Sequence, residues 1–387
     1  MNPAQAAVWF YLLTFAIPWP LDIGLMGLAG LGGWAALSCS PQFPRGALLA
    51  LLPWVLVIAC GHFFSPDPNR SISLSLALVP ASAIYLLICG YLERPQLLGL
   101  SLLLSLMICL LGGWLLGIAL SHPKLTPSEW VLRSGLTAFR VPNDVVFFSI
   151  LLPFPLALLK APPRIFWPSA LAAVACLITL AVAVAYQSRL AILTAGISST
   201  AFSLTLHREA KPILKMVALL ALGVVLIDAA FGFKLLAKFQ ASWTSRLPLW
   251  LAAWNMFLTS PWFGHGLGSY ALLYRDYLNW PSLPSWIAFD PRQSPWAHNL
   301  YLEVLAELGV LGGIALAFLL ISPLRKRPKH PSTPSIRGFA YAAKAALLAF
   351  ALSAGLELSL WRQWVGLIFL LIIGCITATN KSQEGSL

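Results

Sequence analysis

Apolar residues in this chain arrive in long unbroken runs rather than in the alternation of a half-buried strand or the narrow stripe of a soluble helix. The runs cover residues 4–20, 23–39, 46–64, 71–91, 97–120, 145–159, 165–186, 190–206, 213–231, 300–321, 339–356 and 361–379. A bilayer core about 30 Å thick is crossed by roughly 20 apolar helical residues, whereas barrel strands alternate over about ten. The pattern predicts an all-α polytopic membrane protein of about twelve transmembrane helices, forming one membrane-embedded domain over residues 1–387. Runs one and two also suit a re-entrant pair, and the sixth is short.

Composition sharpens this picture. The chain is 59% hydrophobic and 10% charged, with a mean hydropathy of +0.81, against about 25% charge in soluble domains. That excludes an ordinary water-soluble fold and a nucleic-acid binder. The net charge of +12 reads as topology. With a cytoplasmic N-terminus, the inward segments hold thirteen bases, among them Arg45, Arg94, Lys160, Arg208, Arg325 and Arg337. The short outward loops hold three: Arg70, Arg189 and Arg362. This positive-inside bias puts both termini in the cytoplasm. Cys39, Cys60, Cys89, Cys109, Cys176 and Cys375 fall in or beside spans without CxxC spacing, so neither a disulfide framework nor a metal site is expected. The first span reads as retained rather than cleaved, and the basic stretch 323–334 as a cytoplasmic connector.

The candidate chemistry lies on the outward side. Between spans nine and ten runs a long loop, 232–298, predicted to be structured and periplasmic. In it, Ser245 is a plausible N-cap, Pro248 suits a first turn and Thr259-Ser260-Pro261 forms a stop, which frames an amphipathic interfacial helix. Its tryptophans read most simply as interfacial anchors. Arg246 would open that helix, where the backbone is already electropositive, an unfavourable place unless an anion is expected. A lone interfacial Arg also commonly snorkels to lipid phosphate. GHGLGSY, with Gly264, Gly266 and Gly268, follows no strand and reads as a tight turn rather than a nucleotide loop.

His298 and Asn299 mark the outer mouth of the tenth span. His298 is a candidate proton acceptor or, alternatively, an interfacial side chain bonded to headgroups. Glu303 and Glu307 follow on the same helix and are expected to be structural. Arg189 occupies a tight outward turn, against the positive-inside bias. A weaker element is Arg133 and Arg140 before Pro142-Asn143-Asp144. Guanidiniums and a His on one side, with no metal cage or paired carboxylates, suit a lipid diphosphate.

SRLAIL, RLPLWLAAWNMFLTSPWFGHGLGSY and HNLYLEVLAELGVLGG, in that order, resemble the O-antigen ligase and polymerase superfamily of bacterial membrane glycosyltransferases. FRVPND is similar to a Pro-Asn element found there. Leu190 stands where the family usually has Gly, and Asp144 where it has a small or apolar residue. The resemblance implies a GT-C-like helical fold in the bacterial inner membrane. It implies inverting, metal-independent transfer of a glycan from undecaprenyl diphosphate to a hydroxyl of lipid A-core or another acceptor, without a cofactor. His298 would be the catalytic base. Arg189 and Arg246, with Asn299, Arg140 and Asn143, would bind substrate. A repeat-unit polymerase and a protein O-oligosaccharyltransferase share the same donor chemistry. A lipid-linked oligosaccharide transporter and a non-catalytic scaffold remain the readings from other classes, although the inverted repeat of many transporters is not visible.

Overall fold

The computed structural model describes residues 2–17, 23–41, 43, 47–160, 166–206, 234–278, 296–325 and 334–379. The described residues contain helices and turns and no strand. Helices α1 (Pro3–Thr14), α2 (Ile23–Ser38), α3 (Ala47–Phe63) and α4 (Pro68–Tyr91) come first. Next are α5 (Arg94–Met107), a π-helical turn (Ile108–Gly112) and α6 (Gly113–Ser121), which run on as one segment. Then follow α7 (Pro127–Ser134), a 3-10 turn (Pro142–Val145), α8 (Val146–Leu151), α9 (Pro153–Lys160), α10 (Phe166–Ala185) and α11 (Arg189–Leu206). The last group is α12 (Lys234–Thr259), α13 (Tyr270–Leu273), α14 (Leu300–Arg325), α15 (Pro334–Ala354) and α16 (Gln363–Thr379).

Among the described residues, six segments are long and apolar enough to cross a membrane: Pro68–Tyr91, Gln96–Ser121, Pro142–Lys160, Phe166–Ala185, Leu300–Arg325 and Pro334–Ala354. Helices α2, α3, α11 and α16 are apolar but shorter. Twelve crossings are therefore not established. Helix α1, at 12 residues, spans only about 18 Å at 1.5 Å per residue. The expected ninth span (213–231), much of the long loop (279–295) and most of the basic connector (326–333) lie outside the described residues.

Packing carries the membrane signature. On α10, Val174, Leu177, Leu180 and Val184 point outward, while Ala172, Ala175, Thr179 and Ala183 are buried. Small residues face inward and bulky apolar ones outward, the arrangement of a helix whose solvent is lipid. Helix α16 is the opposite case, with every residue from Trp364 to Thr379 buried. Apolar all round, it belongs at the centre, where it packs against α4 and α15.

The GHGLGSY turn has a structural use that its sequence only half discloses. Helix α14 is broken at Gly309, whose φ of 65° and ψ of −161° lie in a region open essentially to glycine alone. The break removes the helical partners of two N–H and two C=O groups, and the turn replaces all four. His265 N donates to Ala306 O at 3.0 Å and Gly266 N to Glu307 O at 2.9 Å. In return, Val310 N donates to Pro261 O at 2.8 Å and Leu311 N to Trp262 O at 3.5 Å. The Glu307 carboxylate completes the stitch, accepting from Gly268 N (2.8 Å) and Tyr270 N (2.9 Å). Non-helical backbone inside a span is tolerable only when it is satisfied in this way.

The two backbones meet too closely for side chains. A Cβ on Gly264 would stand 2.3 Å from the Glu307 carbonyl carbon, and one on Gly309 2.4 Å from that of Trp262. Gly264→Ala and Gly309→Ala should each cost about 2 kcal/mol or more, the left-handed penalty plus backbone displacement. Gly113→Ala, with nothing within 4 Å of the new methyl, should be neutral or gain up to about 1 kcal/mol. Thermal unfolding of the three variants in detergent compares them, and equal midpoints would refute the stitch.

Candidate functional site

The site is built on a buried carboxylate. The loop joining α15 to α16 carries Glu357, whose side chain is 3% exposed. An ion so placed is costly unless donors surround it, and three distant segments supply them. His298 Nδ1 lies 2.9 Å from Oε1. Arg246 pairs through NH2 with Oε2, and its NH1 donates to the neighbouring Leu356 carbonyl at 2.7 Å. Asn143 Nδ2 donates to Oε2 at 3.3 Å.

Nδ1 also lies 3.2 Å from the Trp296 indole nitrogen, which can only donate; in the tautomer whose Nδ1–H is directed at the carboxylate, the neutral imidazole presents Nε2 as its acceptor. The side chains of Arg246 and His298 are 20% and 24% exposed, so the cluster is open on one side. His298 has φ +53°, a strained value for a residue with a Cβ. Burial works against the charge of Glu357. The attraction of His298, Arg246 and Arg362 outweighs it and holds the carboxyl below its ordinary range. Such a group adds stability that is present above the unfolded glutamate value of about 4.3 and is lost as pH falls through the lower folded value.

Asn143 does what only an amide can: it donates to Glu357 and accepts from Ser188 Oγ, 3.2 Å from its Oδ1. Ser188 in turn accepts from Ala191 N at 3.3 Å, capping α11 just before Arg189. The half-buried Arg189 side chain makes no hydrogen bond or ion pair among the described residues. It begins α11 with its cation at the electropositive helix end, the argument that the sequence suggested for Arg246.

For Arg246 that argument fails. Helix α12 starts at Lys234, not near Ser245, because KLLAKFQASWTS holds no glycine or proline to stop it. Pro248 sits inside the helix, and Arg246 is an interior residue held by Glu357. The expected stop at Thr259 coincides with the observed end.

The remaining sequence candidates are placed differently. Asn299 turns its Oδ1 to the N–H groups of Tyr301 and Leu302, both at 3.1 Å, and so caps α14. Arg140 has an exposed side chain. Its backbone N–H donates to Asp144 Oδ2 at 2.6 Å, as that of Val141 does at 3.0 Å. Glu303 accepts from Ser359 Oγ at 2.8 Å, another helix-to-loop tie beside that of Glu307. Among the described residues no group of three His, Cys, Asp or Glu side chains is arranged to hold a metal ion.

Sequence reasoning missed Glu357, Ser188 and the buried pair of Asp144 with Arg362. One signal was available. LSAGLELSLWRQW places an isolated acid and base in an otherwise apolar stretch, and ionisable groups in such places usually have partners.

Asn143→Asp would set a second carboxylate against Glu357. The variant should lose about 3 kcal/mol at pH 7.5 and recover part of it at pH 5, as the raised carboxyl takes up a proton. Asn143→Ala should lose about 1 kcal/mol at either pH. Unfolding midpoints at both pH values decide, and a pH-independent loss in Asn143→Asp would contradict the brace.

A search of curated proteins finds no match to this chain. A family model described as O-antigen ligase matches residues 174–317, which include Ser188, Arg189, Arg246, the glycine turn and His298 but not Asn143, Asp144, Glu357 or Arg362. Residues 174–317 are thus similar to the O-antigen ligase family, the resemblance that the motifs there suggest.

Proposed function

We propose that this protein transfers a glycan from undecaprenyl diphosphate to a hydroxyl of lipid A-core, on the periplasmic side of the inner membrane and with inversion. The observation that carries the reading is that Arg246 and His298, 52 positions apart in the sequence, hold opposite oxygens of one buried carboxylate. A phosphate-binding cation and a proton acceptor thus share one half-open cluster. The O-antigen ligase family match supports the same reaction class, and the excess of bases on the inward segments supports the orientation.

In this mechanism the acceptor oxygen attacks the anomeric carbon and its proton passes to His298 Nε2. The bond from that carbon to the diphosphate oxygen breaks on the opposite face, and its electron pair leaves with the diphosphate. Arg189 and the N–H groups that Arg246 does not give to the protein neutralise the leaving charge. Glu357 fixes the imidazole tautomer and stabilises the imidazolium, as the carboxylate does in a Ser-His-Asp triad. A finished O-antigen on lipid A-core, a growing repeat-unit chain and a protein hydroxyl differ only in acceptor. Purified protein given the lipid-linked donor and each acceptor in turn separates them. Product formed in detergent, with no membrane to cross, excludes a transporter.

His298→Ala should lower kcat by about 10²–10⁴, read from glycan transfer in vitro and a gel of surface polysaccharide, and, since it takes a donor from buried Glu357, should also lower stability by about 1–3 kcal/mol. Arg189→Ala removes a cation that has no partner among the described residues. It should raise the donor KM about tenfold or more, the scale of a lost charge-assisted bond, and leave stability within about 0.5 kcal/mol. Full transfer by folded His298→Ala protein would end this reading.

A further inference from the structure

Asp144 and Arg362 form a second buried pair beside the first. Asp144 is 1% exposed and Arg362 8%. Asp144 Oδ1 takes the guanidinium of Arg362 and also the Trp364 indole N–H at 3.3 Å. The Arg362 guanidinium carbon lies 4.8 Å from the ring centre of Trp296 and 5.5 Å from that of Trp364. The Trp296 ring lies 5.5 Å from the His298 imidazole. One cation thus joins the turn before α8, the start of α16 and the segment that leads into His298.

Two features indicate that this cation does more than fill space. Apolar side chains of similar volume commonly stabilise a protein as well as a buried ion pair does, or better, so burial alone gives no reason for Arg362. His298, two residues beyond Trp296, holds a strained φ of +53°, and such strain persists only where the surroundings over-determine it. Glu357 fixes the imidazole from one side. Among the described residues, the only aromatic ring placed against the imidazole is Trp296, whose indole nitrogen lies 3.2 Å from the same Nδ1 and whose ring packs on Arg362. A planar guanidinium can pair with a carboxylate by its edge while stacking on indole by its face, and an ammonium cannot do both.

We propose that Arg362 is a positioning residue of the transfer site: paired with Asp144 and stacked on Trp296, its guanidinium fixes the segment that presents the His298 imidazole. This rests on the reading of His298 as the base. Arg362 acts through Trp296 rather than on the substrate, so its loss belongs in kcat and not in donor KM.

The test compares Arg362→Lys, Trp296→Phe, Trp296→Ala and the double variant Arg362→Lys/Trp296→Ala in full-length protein in detergent. Arg362→Lys and Trp296→Ala should each lower kcat about 10–100-fold, the scale of losing a group that orients a site residue, with donor KM within about twofold of wild type. Trp296→Phe, which keeps an aromatic face, should recover most of the rate. The double variant should be no slower than the slower single one, since both act along one path. Wild-type kcat in Trp296→Ala, additive losses, or a loss confined to KM would each overturn the proposal, and the Trp296 variants decide it even if Arg362→Lys does not fold. Site-resolved labelling of His298 with diethyl pyrocarbonate reads ring position without any transfer. A changed rate in Trp296→Ala supports positioning even if wild-type protein transfers no glycan, which would refute only the functional reading. An unchanged rate counts against positioning.

Discussion

A carboxylate taken out of water has to be surrounded by donors, and much of this site follows from that demand. Burying an ion costs several kcal/mol, and stripping a buried pair of one partner typically costs about 3–5 kcal/mol. Glu357 meets the demand with Arg246, His298 and Asn143, which are 111, 59 and 214 positions away in the chain. No local preference brings such groups together. The cluster therefore assembles as a unit, and partial assembly is penalised because each missing donor leaves the charge exposed to an apolar interior.

The stitch at Gly309 supplies the distances that make this meeting possible. Helices α12 and α14 pack together, and both run toward the point where residues 261–266 dock on residues 306–311. Arg246 stands thirteen residues before the end of α12, about 20 Å at 1.5 Å per residue. The start of α14 stands nine residues before Gly309, about 14 Å, and the two residues back to His298 add about 6 Å. The guanidinium and the imidazole reach the same height because their helices are measured from a common fixed point. The glycines set the register of the site without touching it.

The helical, membrane-spanning character was legible because runs of apolar residues are local and long. The end of α12 was legible for the same reason, since Thr259-Ser260-Pro261 stops a helix by its own chemistry. The start of α12 was not, because nothing in KLLAKFQASWTS interrupts a helix and Ser245 has the chemistry of a cap that the chain does not use. The break in α14 was also hidden. GVLGG continues the helical pattern of its surroundings, and Gly309 departs from it only because a turn about 45 residues earlier brings the replacement hydrogen bonds. Arg246 and His298 were recognisable as site candidates by residue type and motif. Glu357 was not, since a lone glutamate in an apolar loop has no motif and its role appears only with its donors.

The charge balance separates two guanidiniums that look equivalent in sequence. The charge of Arg246 is largely cancelled by Glu357, as that of Arg362 is by Asp144. Arg189 has no such partner among the described residues and stands at the positive end of α11. In the proposed reaction, long-range attraction for a diphosphate therefore comes from Arg189, while Arg246 offers directed N–H groups with little net charge. That division suits the chemistry. A second unpaired cation beside His298 would oppose proton transfer to the imidazole. A guanidinium already bound to Glu357 can hold a leaving phosphate oxygen and still leave the imidazolium facing a carboxylate. The buried acid allows a base and a phosphate-binding cation to work within one cluster.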